Sequence, residues 1–201
     1  MPFSWKKFFK NAGIILGVLL VIGVIIRIPN AWEKQKTAEA VAKIHATKLT
    51  MDDVMGKNLP PDPGADADKT IQGVDANFNG IRDDVELAIF KEYPNSAKTR
   101  AVLLQYALAL QMEMTQTLVN TGTVTAVAEV GDRSYACVGR IFSRDDMKIY
   151  SSNTDKLRTF IKDRQLNTQE RKKAQDSFYE KLGSYTSPSE SCDIPISDFT
   201  N

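Results

Sequence analysis

Histidine is almost missing from this chain: His45 is the only one in 201 residues. A Ser-His-Asp arrangement or a His-built zinc site would therefore depend on that single ring, which reads better as a solvated or headgroup-facing side chain. Cysteine is nearly as scarce. Cys137 and Cys192 are the two present, too far apart for a close-spaced zinc pattern and too far from the amino terminus for a lipid-anchored lipoprotein. There is no glycine-rich phosphate loop and no dinucleotide fingerprint. Charge of one sign is also lacking: the formal net charge is +1, with no basic excess directed at nucleic acid and no acidic tail. Strand-like alternation of useful length and internal repeats are absent too.

What is present begins with one apolar run. Ala12 to Ile26 contains no polar side chain, and Phe8 to Ile28 as a helix reaches about 30 Å, the hydrocarbon thickness of a bilayer. Lys10 and Arg27 stand near its ends, where they can snorkel. The two tryptophans, Trp5 and Trp32, flank it at about 40 Å of helix, as an aromatic belt requires. A cleaved signal peptide competes, since Lys6, Lys7 and Lys10 form a basic head. However, Arg27-Ile28-Pro29-Asn30 occupies the place of a cleavage site, and Ala38-Glu39-Ala40 lies too far downstream. An uncleaved anchor through the lipid bilayer at residues 8–28 is expected. Gly13 and Gly17 have the spacing that packs two such helices, so a homo-oligomer is conceivable. Basic residues on the two sides nearly balance (Lys6, Lys7 and Lys10 against Arg27, Lys34 and Lys36). The short basic head, the cysteine pair and the calcium-type loop described below place the bulk outside. In an oxidising compartment Cys137 and Cys192 form one disulfide, worth about 4 kcal/mol in the chain-entropy picture; the alternative is two free thiols in a cytosolic protein.

Periodicity and breakers organise the rest. Residues 1–30 form head and anchor, and 31–58 a juxtamembrane helix whose last short turn, Met51 to Met55, Thr50 can cap. Residues 59–74 are a linker, because Pro60, Pro61 and Pro63 demand extended chain. Residues 75–183 form a helical domain and 184–201 an irregular tail. Helices are expected over Asp84–Tyr93, Ser96–Asn120 (with Leu103, Ala107, Leu110, Met114 and Leu118 on one face), Thr123–Phe142, and from Ser143 onward. The polar run Ser151-Ser152-Asn153-Thr154 is a place where the fourth could split. Asn167-Thr168-Gln169-Glu170 resembles a capping box for the last helix. Arg171-Lys172-Lys173 reads as a solvated face, Asp145-Asp146 as helix-start charges, and Met112 and Met114 as packing. The fold class is mainly α: an N-terminal transmembrane helix, then a small helical bundle with a calcium-type loop before its first helix.

That loop is the one motif with chemistry. Residues 75–86, DANFNGIRDDVE, satisfy D-x-[DN]-x-[DN]-G-x5-E. A hard cation wants six to eight oxygens, so alternate side chains must turn inward, and the sixth-place Gly80 permits the sharp reversal. The stretch resembles the EF-hand calcium loop, and the related loops of dockerins and thrombospondin type 3 repeats. That resemblance implies calcium, with Asp75, Asn77 and Asn79 as side-chain ligands, Ile81 through its carbonyl, Asp83 directly or through water, and Glu86 as bidentate closer. Arg82 stands where such loops carry an apolar residue, the preceding segment is rich in Pro and Gly, and no second loop pairs with it, although Asp66 and Asp68 add nearby carboxylates. Two asparagines lower the ligand charge, so affinity near about 10⁻⁴ to 10⁻³ M is expected. The competing reading is a metal-free Asx turn in which Asp83 and Glu86 cap the following helix.

The plan of basic anchor, proline linker and D-x-N-x-N-G loop resembles short bacterial envelope proteins and implies no activity. The expected function is a non-enzymatic, membrane-tethered, extracytoplasmic module. It is stabilised by calcium, sits in the inner membrane as a single-pass protein and binds another envelope protein. A calcium-dependent hydrolase of envelope polymers and a calcium-sensing signalling subunit are the alternatives.

Overall fold

Every residue from Arg100 to Met114 is buried, which makes one helix the axis of the structure. A helix buried all round is the centre of a bundle, with neighbours on every side. The computed structural model describes residues 5–187 and 192–199, and within the first helix the side chains at 6–12 and 19–31 lie outside the described residues. Among the described residues there are seven α-helices and no strand. They are α1 Trp5–Ala46, α2 Met51–Met55, α3 Asp83–Glu92, α4 Ala97–Thr115, α5 Thr121–Val138, α6 Met147–Gln165 and α7 Gln169–Tyr179. The chain divides into two compact units, Met1–Ala42 and Lys43–Asn201.

In the second unit α4 packs against α2, α3, α5, α6 and α7. The stripe expected on one face of this helix is therefore only part of what is buried, because four more sides are covered. Leu118 falls beyond the end of α4. The polar side chains of α4 hold irregular backbone: Arg100 donates to the carbonyls of Val54, Tyr93 and Pro94, Gln111 to that of Gln72, and Gln105 accepts from the amide of Asp193. These bonds fix the loops to the central helix, while Gln111 Oε1 stays buried without a hydrogen-bond partner among the described residues.

Caps set the helix ends. Thr50 and Asp53 form a capping box before α2, Asn120 and Thr123 one before α5, and Asp146 accepts from Lys148 and Ile149 at the start of α6. Before α7 the cap is Thr168, which accepts from the amide of Arg171. The run Ser151–Thr154 does not split α6. Thr154 donates back to the carbonyls of Tyr150 and Ser151, and Ser151 to Asp155, so their hydroxyls are satisfied inside the helix.

The tail is irregular but fixed. Cys137 and Cys192 form a disulfide, Asp193 pairs with Arg133 and accepts from the amide of Leu49, and Ile194 and Phe199 are buried. In the first unit, the anchor expected at 8–28 lies on helical backbone, and most of its side chains fall outside the described residues. Of those described, Ile14, Ile15, Leu16 and Val18 are exposed, as are Trp5 and Trp32. Among the described residues no helix is long and apolar enough to cross a membrane.

Candidate functional site

The loop at 75–86 folds around its own carboxylates. Asp75 accepts the amides of Asn79 (3.1 Å) and Gly80 (2.9 Å), one on each oxygen. Asn79 accepts the amide of Ile81 at 2.8 Å. The reversal this imposes needs positive φ at Gly80, 82°, as its place in the motif requires. Phe78 also has positive φ, 58°, and is 89% exposed.

Four of the expected ligand residues come together. Glu86, on the first turn of α3, is 1% exposed. Its Oε2 accepts from the amide nitrogens of Asn77 (3.0 Å) and Asn79 (3.1 Å), while Asp75 closes the loop opposite through the amides of residues 79 and 80. Glu86 makes no ion pair among the described residues, and burial pushes its carboxyl up to about 7 despite the two amide donors. A buried acid met only by neutral amides lacks a positive charge.

The other two expected ligands are placed differently. Both oxygens of Asp83 accept the amide of Ala76, at 3.0 and 3.1 Å, and its own amide donates to Val74. This carboxylate ties the two ends of the loop together, and burial raises its pKa. Ile81 is wholly buried and its side chain belongs to the core. Arg82, whose side chain has donors but no acceptor, precedes α3, and no side-chain cap forms there. Among the described residues no three His, Cys, Asp or Glu side chains group as a metal site; the loop's oxygen set depends on asparagine.

Two buried arginines position the loop. Arg82, 0% exposed, grips Asp84 with two nitrogens (2.7 and 2.5 Å) and reaches the carbonyls of Arg164 and Gln165 at the end of α6. Its stem passes where a Cβ on Gly73 would stand, so that position must be glycine. Arg171, also 0% exposed, donates to the carbonyls of Ala67, Thr70 and Ile71 and to Asp68. The run Arg171-Lys172-Lys173 is therefore not a uniformly solvated face: Lys172 and Lys173 are exposed, while Arg171 holds the segment that leads into the loop. Asp68, bonded by Asn167 and Arg171, has its pKa lowered. His45 bonds Glu129 of α5 at 2.9 Å and is half-exposed.

A second constellation escaped sequence reasoning. Glu113 of α4 is 6% exposed and accepts from Gln175 (2.6 Å) and Tyr179 (3.1 Å) of α7. Burial pushes its carboxyl up to about 7. It lines a pocket of about 320 Å³ together with Asp132 and four tyrosines. These residues are scattered from 106 to 185, and the one available signal was an acid placed in the apolar core of a helix.

No protein family, curated protein or solved structure matches the chain.

Proposed function

We propose that the chain is a membrane-tethered helical module of the cell envelope that is stabilised by calcium at residues 75–86 and acts by binding another envelope protein. One observation carries the calcium reading. Glu86 is buried without a counter-charge, and Asn77 and Asn79 meet its carboxylate, which is the arrangement a hard cation would relieve. Asp75, Asn77, Asn79 and Glu86 would supply side-chain oxygens, the two amides by a half-turn of their terminal torsion, and Ile81 its carbonyl. Asp83 holds the loop closed from outside this group or joins through water. The ion supplies positive charge and a fixed centre for a loop that otherwise depends on Asx turns. The role is that of a staple, since Arg82 and Arg171 already pin both flanks of the loop to α6 and α7.

The tether rests on the apolar run at 12–26, on the exposed Ile14, Ile15, Leu16 and Val18, and on Trp5 and Trp32 exposed on α1. The disulfide accords with an oxidising compartment, and so with the bulk lying outside the inner membrane. Calorimetric titration of the full chain in detergent tests the metal. Calcium should bind in the range of about 10⁻⁴ to 10⁻³ M, magnesium far more weakly, and Glu86→Gln should remove the calcium heat. Equal heats for wild type and Glu86→Gln would contradict the assignment.

A second reading, a hydrolase using paired carboxylates, draws on the pocket that Glu113 and Asp132 share. It requires cleavage of an envelope polymer by wild type and none by Glu113→Gln.

A further inference from the structure

Among the buried polar side chains of α4, Glu113 is the exception. Arg100, Gln105 and Gln111 each hold the backbone of a loop or of the tail, whereas Glu113 faces a pocket between α4, α5, α6 and α7. The cavity, about 320 Å³, lies at the small end of the range for specific ligand sites. Its walls carry Tyr106, Tyr135, Tyr179 and Tyr185 and the carboxylates of Glu113 and Asp132.

The two carboxylates are held by neighbours on the same wall and keep acceptor capacity to spare. Each oxygen of Glu113 takes one donor, Tyr179 on one side and Gln175 on the other. A carboxylate offers about four acceptor positions, so roughly half its capacity remains. Tyr185 donates to Asp132 at 2.9 Å, which fixes the second carboxylate in the same way. Gly131 sits inside α5, where glycine costs about 1 kcal/mol relative to alanine. A Cβ there would stand 3.1 Å from Glu113 Oε1, so the glycine clears the approach to the acid. Among the described residues the one basic side chain on the wall is Lys162, and it forms no ion pair with either carboxylate. The walls are electron-rich and acidic, and the guanidinium of Arg158, 3.4 Å from the Tyr135 ring centroid, already stacks on one of them.

We propose that this pocket binds a primary alkylammonium group, with Glu113 and Asp132 as its acceptors and the tyrosines as its walls. An ammonium brings three donors and one positive charge, which suits two part-filled carboxylates that Lys162, on the same wall, does not pair with among the described residues. A neutral alcohol would bond but leave the charge uncompensated, and an anion would be repelled.

Protonation follows from the surroundings. Glu113 is faced by Tyr106 from its own helix, Asp132 from α5, Lys162 from α6, Gln175 and Tyr179 from α7, and Tyr185 from the tail. Burial dominates and holds the acid up near 7, with Asp132 adding to the rise and Lys162 opposing it. A bound cation favours the ionised form. Binding therefore releases a proton, and affinity rises between about pH 5.5 and 8, below the amine's own titration.

The test is calorimetric titration of the full chain in detergent micelles with n-butylammonium, 1-butanol and butyrate. Butylammonium alone should bind, with a heat that changes with the ionisation heat of the buffer because a proton is released. Glu113→Gln should weaken it about tenfold or more. Asp132→Asn, at the half-buried rim, should also weaken it, so the outcome does not hang on one buried substitution. Nα-acetyl-lysine methylamide identifies the source of the amine. Tighter binding than butylammonium points to a lysine side chain displayed by a partner, and weaker binding to a free amine. Equal binding of 1-butanol and butylammonium, no binding of either at tens of millimolar, or binding unchanged in both variants would overturn the proposal.

Discussion

Phe78 holds a left-handed backbone, φ 58°, with its ring in solvent. An L side chain in that region costs about 1 to 2 kcal/mol, and asparagine tolerates it better. Nothing packs on the ring, so Phe78→Asn should raise stability by roughly 1 kcal/mol in urea denaturation; an unchanged or lower midpoint would mean that the ring makes contacts in solution. The pattern D-x-[DN]-x-[DN]-G fixed the neighbours of this residue but not its conformation, because the motif leaves the fourth place free. Glu113 shows a different limit. Its carboxyl is pushed from 4.5 up to about 7 by burial, so the folded state holds its proton more tightly than the unfolded chain. Its stabilising contribution is complete below about pH 4.5 and is lost as the pH rises through about 7. The stability of wild type relative to Glu113→Gln should therefore fall across that window, by an amount on the order of 3 kcal/mol. Paired denaturation curves at several pH values read it, and a flat difference would show the carboxyl to be solvated.

At the scale of elements, the helices after residue 80 were legible because apolar period, caps and breakers agree: Pro94 follows α3, Asp146 starts α6 and Thr168 starts α7. Two features were not. Burial of α4 on all sides is a property of its neighbours, and no period in its own sequence reports it. The polar run in α6 reads as a break only until its hydroxyls are seen to bond within the helix. Arg171 teaches the same lesson, since a basic triplet looks solvated whichever member turns inward. Its guanidinium meets three carbonyls and Asp68, so removing it leaves buried acceptors unmet. Arg171→Ala should cost about 3 to 5 kcal/mol, and Arg171→Lys should recover little, because an ammonium lacks the planar fork. Urea denaturation of both variants checks this, and a Lys variant close to wild type would show that charge alone suffices.

For the whole molecule, two closures fix irregular chain in the helical unit: the hydrogen-bonded loop ahead of α3 and the disulfide that joins residues 55 apart in sequence. Two cysteines in a chain expected outside the membrane were legible as one disulfide, whereas the company it keeps was not: Asp193 bonding Gln105, Leu49 and Arg133. Replacing both cysteines with alanine should lower stability by about 4 kcal/mol and release the tail to limited proteolysis; a tail still protected would mean that Asp193, Ile194 and Phe199 hold it unaided. The loop is the more decisive of the two, because the calcium proposal joins the motif in the sequence to Glu86, which is buried and makes no ion pair among the described residues. The most direct measurement is a thermal melt of the full chain in detergent with millimolar calcium, with magnesium and with chelator, run alongside Asp75→Ala. A calcium-specific rise in melting temperature that Asp75→Ala abolishes is the predicted result. Melting curves that coincide in calcium and in chelator would contradict it and leave residues 75–86 a metal-free Asx turn.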